Sequence, residues 1–107
     1  MPLYLGRFNY SAEAIQAMVA NPQDRSRAAA EVAESLGGEL KGFWFSFGEF
    51  DGVFLMEAPD NTSAVALAMT VAGAGAVQNL QTTVLLDTNE AQEAMRKAAN
   101  ATYRPPS

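Results

Sequence analysis

The chain has 107 residues, 49% of them hydrophobic and 18% charged, enough for one globular domain. With no His and no Cys, it lacks the groups for a disulfide framework, a zinc finger, a thiol nucleophile, a Ser-His-Asp triad or an ordinary transition-metal site. Twelve acidic against seven basic residues give a formal charge of −5, and the cations are scattered from Arg7 to Arg104, so no basic stripe suited to nucleic acid is present.

Pro2 to Phe8 reads as a first strand, with Leu3 and Leu5 on one side and Tyr4 and Phe8 on the other. Ser11 is placed to cap a short helix over Ala12 to Ala20, with Ile15, Met18 and Val19 at helical spacing. Asn21-Pro22 then suggests a cap and first residue for a second helix running to about Leu36. Its apolar stripe is Ala28, Val32 and Leu36, beside Ala29 and Ala33, and Gly37-Gly38 closes it. Glu39 to Phe47 is the clearest strand, with Phe43, Phe45 and Phe47 on one face and Trp44 and Ser46 on the other. A turn over 48–52 leads to a returning strand, Val53 to Ala58. Pro59 ends that strand and Asp60 caps a third helix, Asn61 to Ala72, stopped by Gly73 and Gly75. Ala76 to Leu86 is a fourth strand, with Leu80, Val84 and Leu86 on one side. Asp87-Thr88 caps a final helix, Asn89 to Ala99, whose expected buried edge is Ala91, Ala94, Met95 and Ala98. The tail, Tyr103 to Ser107, carries two prolines that forbid a regular ladder.

The order β-α-β-β-α-β predicts an α+β, ferredoxin-like domain over 1–107: a four-stranded antiparallel sheet with helices on one face, plus the C-terminal helix. The hairpin strands are apolar on both faces (Phe43, Phe45 and Phe47 against Trp44; Phe54 and Met56 against Val53 and Leu55). A sheet face left to water normally alternates apolar with polar, so a second copy of the chain is expected on the uncovered face, making a dimeric α+β barrel.

The order and spacing of several segments resemble the GYD-domain family, small bacterial proteins with a Gly-Tyr-Asp signature. These are Gly48-Glu49-Phe50-Asp51 within 47–53, Glu57-Ala-Pro-Asp-Asn61, Leu80-Gln-Thr-Thr-Val-Leu-Leu86, Ser35-Leu-Gly-Gly-Glu-Leu40 and the terminal Tyr103-Arg-Pro-Pro106. The resemblance implies a ferredoxin-like, dimeric α+β barrel; it implies no general activity. Phe50 stands where the signature has Tyr, so a role needing the hydroxyl is in doubt here and a role needing only the ring is kept.

Glu49 and Asp51 form a carboxylate pair between Gly48 and Gly52. They read either as an acid/base pair or hard-cation site at a barrel mouth, or as a hairpin turn in which Asp caps backbone amides. Tyr4, Phe8, Trp44 and Ser46 are expected on the face opposite the helices, as a ligand pocket or as interface core; Phe50 joins them as a ligand-contacting residue. Arg25 and Arg27 read as solvated partners of Glu31 and Glu34, or as a grip on an anionic group. Asn79, Gln81 and Thr83 read as a solvated strand face, and Gly73-Ala-Gly75 lacks the context of a phosphate loop.

The longest apolar stretch, Ala64 to Val77, is interrupted and falls short of the ~20 residues of a membrane span, and no basic n-region precedes an apolar one at the N-terminus. These features predict a cytoplasmic homo-oligomer that binds a small molecule or serves as an accessory module, with no cofactor, metal, nucleic-acid or membrane partner. The alternative is a cofactor-independent enzyme of small monooxygenase or isomerase type, with Asp51 or Glu49 as base and Tyr4 or Tyr103 as hydrogen-bond donor. A third reading is a purely structural interaction protein.

Overall fold

A computed structural model describes all of residues 1–107. Chain order is β1 (Leu3–Tyr10), α1 (Ala12–Ala20), α2 (Ser26–Ser35), β2 (Glu39–Phe45), β3 (Gly52–Glu57), α3 (Asn61–Gly73), β4 (Val77–Leu85) and α4 (Thr88–Ala99). The four strands form one antiparallel sheet in the order β2-β3-β1-β4, the ferredoxin-like arrangement predicted from the sequence.

Local signals set most boundaries. Ser11 Oγ accepts from the Ala14 amide and Asp60 Oδ1 from that of Ser63, so both act as N-caps. Asp87 and Glu90 form a reciprocal capping box at the start of α4. Gly37 takes φ +81° just past α2, a conformation glycine reaches without a Cβ clash. The second helix starts later than Pro22 suggests. Asp24 Oδ1 accepts from the Ser26 amide, and this local turn takes up the segment before Ser26.

One sheet face carries the core. Tyr4, Phe8, Phe54 and Met56 are buried there against Ala33 of α2 and Ala64 and Leu67 of α3. Burial of each such large side chain contributes roughly 1.5–3 kcal/mol. Glycines opposite the rings make this face close-packed. Phe54 pairs with Gly6 and Phe8 with Gly52 across the strands, and each ring occupies the place a Cβ would take on its partner. Phe8 also meets Tyr10 edge-on at 5.1 Å and tilts against Phe43 at 6.0 Å, favourable aromatic geometries.

The opposite face is uncovered. It presents Leu3, Leu5 and Arg7 of β1 beside Val53 and Leu55 of β3, all half-buried, with Trp44 of β2 exposed at its flank. Two irregularities reset side-chain parity: one in β2 between Leu40 and Gly42, the other in β1–β4 pairing between Arg7 and Asn9. Asn79 stands in the second with φ 51°, its side-chain Nδ2 donating to Asn9 Oδ1. β2 ends at Phe45, so Phe47 does not continue the Phe43/Phe45 face; it lies fully exposed in the turn.

The expected buried edge of the last helix is not buried within this chain. Along α4 only Ala91 is partly covered, and Ala94, Met95 and Ala98 are exposed. The radius of gyration, 17.2 Å, accordingly exceeds the roughly 13 Å of a compact domain of this length. No helix is long and apolar enough to cross a membrane.

Candidate functional site

The Gly48–Gly52 segment is a turn docked on the end of β1. Asp51 makes three bonds to neighbouring backbone or through its own: its amide donates to Phe8 O (2.8 Å), its carbonyl accepts from the Ser46 amide (2.9 Å), and its Oδ2 accepts from the Tyr10 amide (2.9 Å). Ser46 Oγ donates to Phe50 O (2.7 Å), and Asn9 Nδ2 to Glu49 O (3.0 Å). Phe50 is buried, with the Arg7 guanidinium 4.8 Å over its ring. The Glu49 side chain is exposed. Asp51 therefore staples β1 to the hairpin, and Glu49 points to solvent beside it.

The expected grouping of Tyr4, Phe8, Trp44 and Ser46 on the uncovered face is corrected. Tyr4 and Phe8 face the helices, Trp44 lies on the other side of the sheet, and Ser46 belongs to the turn. The Tyr4 hydroxyl donates to Asn61 Oδ1 at 2.6 Å, tying β1 to the first residue of α3. Leu3, Leu5, Arg7 and Asn9 share one parity along β1. A cation and an amide on that side marked it as the open face, a signal present in the sequence.

What sequence reasoning missed is a cavity of about 380 Å³ on the helix face. The sheet supplies aromatic walls, Phe8, Tyr10, Phe43 and Phe54, and α3 supplies Leu67 and Val71. The opposite wall is built from short side chains: Ala14 and Ala17 of α1, Ala28 and Ala29 of α2. Met18 of α1 and Val32 of α2 are the longer side chains on this wall, and the methyl groups beside them leave the space before the sheet unfilled. The branched side chains of α1, Ile15 and Val19, are exposed and do not line it.

Sixteen of the nineteen lining residues are apolar, so the body of any occupant must be apolar too; Gln23, Arg25 and Thr70 are the rest. The Tyr10 phenol adds a polar tip. Burial pushes its pKa above the ordinary value, opposed by the positive charge of Arg25 and reinforced by the negative charge of Asp51. Tyr10 is thus a neutral donor at physiological pH. Neither Arg25 nor Arg27 pairs with Glu31 or Glu34; the ion pairs of the chain are Lys41 with Glu39 and Glu57, and Arg96 with Glu93.

The GYD domain family model matches residues 4–95. Among solved structures, the chain is similar to one described as the crystal structure of FFRP-DM1, at 14% identity and a TM-score of 0.48, over 80% of this chain and 100% of that one. No curated protein matches it in sequence. With the signature turn at 48–51 seated on β1 and the family match running through almost every element, the chain belongs to the GYD domain family.

Proposed function

We propose that this GYD-domain chain is a homo-oligomeric small-molecule-binding protein whose ligand occupies the cavity between the sheet and helices α1–α3. The cavity is the observation that carries the reading. Its volume of about 380 Å³ falls within the roughly 300–1,000 Å³ typical of ligand sites. Its walls are mostly apolar, so an apolar occupant is the one that matches them.

Self-association rests on the other face. Leu3, Leu5, Val53 and Leu55 form a contiguous apolar centre with Trp44 at its flank, the composition of an interface core. A second copy facing it gives the α+β barrel, with the two ligand cavities on its outer, helical sides. The geometry favours binding over acid/base catalysis, because the Asp51 carboxylate is already engaged by the Tyr10 amide.

Native mass spectrometry of freshly purified protein tests both halves. A dimer or higher assembly carrying a reproducible added mass supports them. A ligand-free oligomer contradicts the binding half, and a bare monomer contradicts both.

A further inference from the structure

The cavity has a chemical polarity that narrows its ligand. Arg25 is the one cation lining it, and it is half-buried with no carboxylate partner. Its side-chain bond is Nη1 to Gln23 Oε1, at 3.3 Å. The adjacent carboxylate, Asp24, is turned to the amide and hydroxyl of Ser26. Tyr10 lines the same cavity, its phenol within range of the positive charge of Arg25 on one hand and the negative charge of Asp51, held by the Tyr10 amide, on the other. No Asp or Glu is among the lining residues. Of the other polar lining residues, Gln23 is bonded to Asn21 O and to Arg25 and the Thr70 hydroxyl to Ala66 O, which leaves the Arg25 cation and the neutral Tyr10 hydroxyl to meet a ligand; the rest of the lining is aromatic or aliphatic.

We infer that the cavity binds a compact apolar carboxylic acid, its carboxylate held by Arg25 and Tyr10 and its hydrocarbon part lying among Phe8, Phe43, Leu67 and Val71. This rests on the cavity being a ligand site. A guanidinium fork is matched to a planar carboxylate by geometry as well as charge. In partly desolvated surroundings that pairing discriminates strongly against a neutral or cationic head. The alanines of α1 and α2 leave room for a straight or singly ringed hydrocarbon and present no polar group that a second head could use.

The test is calorimetric titration of the whole protein with octanoate, 1-octanol and octylammonium, three ligands with one tail and three heads. Octanoate is expected to bind one per chain, at least ten-fold tighter than octanol, with octylammonium weakest. Arg25→Gln should bring octanoate down to the octanol level while leaving octanol unchanged. Ala29→Leu, which narrows the cavity without touching its charge, should weaken octanoate and octanol alike. Equal binding of octanoate and octanol by the wild type, or octanoate binding untouched by Arg25→Gln, overturns the carboxylate assignment and leaves the cavity as a ligand site. Octanoate binding that survives Ala29→Leu places the acid elsewhere and overturns the assignment. Binding of none of the three overturns the acid and the ligand cavity together.

Discussion

Replacing Asp51 with Ala separates a turn staple from a reactive carboxylate. The substitution deletes the Oδ2 acceptor of the Tyr10 amide, 2.9 Å away in a part-buried position. It leaves the two backbone bonds of residue 51, to Phe8 and Ser46, in place. A hydrogen bond to a charged acceptor contributes roughly 1.5–3 kcal/mol, and partial access of water to the freed amide puts the loss near the lower end, about 1.5–2 kcal/mol. At roughly 4–8 °C per kcal/mol for a domain of this size, Asp51→Ala should lower Tm by about 6–16 °C. Asp51→Asn keeps an uncharged acceptor oxygen and should lose about half as much. Thermal melts followed by circular dichroism read the stability, and octanoate titration below the melting range reads the site. Both variants are expected to bind like wild type once folded. An Asp51→Ala protein that melts with wild type yet has lost binding would refute the staple.

Other perturbations have equally definite signs. Burial raises the Tyr10 pKa above the ordinary 10.0, so the neutral phenol stabilises the fold below pH 10 and that contribution is lost as pH rises through the folded value. Urea melts at pH 9 and pH 11 should show wild type losing more stability over that interval than Tyr10→Phe; equal losses would contradict it. Ala29→Leu adds three carbons to the cavity wall, at most about 2.4 kcal/mol of stabilisation at ~0.8 kcal/mol per buried carbon, and is expected to raise Tm. A fall would mean the space is too narrow for the side chain. Leu5→Arg sets a charge at the centre of the open sheet face and should yield a folded monomer by light scattering.

Much of this architecture is written locally. Ser11, Asp60, Asp87 and Gly37 mark helix ends through contacts within three residues of themselves, so the element order is readable before any packing is known. Features that depend on non-local packing are less readable. Tyr4 and Phe8 on one parity and Leu3 and Leu5 on the other are both apolar, and only the positions of Arg7, Asn9 and Gly6 distinguish the open face from the one under the helices. The irregularity beside Lys41 adds a residue to β2 that alternation cannot register. The carboxylates at 49 and 51 are chemically conspicuous, and the structure gives Asp51 a backbone partner instead. The cavity is least visible of all. It arises because two helices turn alanines toward the sheet, and alanine periodicity reads equally as tight packing or as a gap until the distance between the layers is known. The exposed edge of α4 is the converse: an amphipathic pattern that its own chain does not bury.

The most direct measurement is a methyl NMR titration of the folded protein with octanoate. Binding in the cavity predicts saturable shifts at Met18, Val32, Leu67 and Val71, which line it, with Leu3, Leu5, Val53 and Leu55 on the open face unmoved. Shifts confined to the open-face methyls, or none at the cavity methyls at saturating acid, would contradict a ligand site between the sheet and its helices.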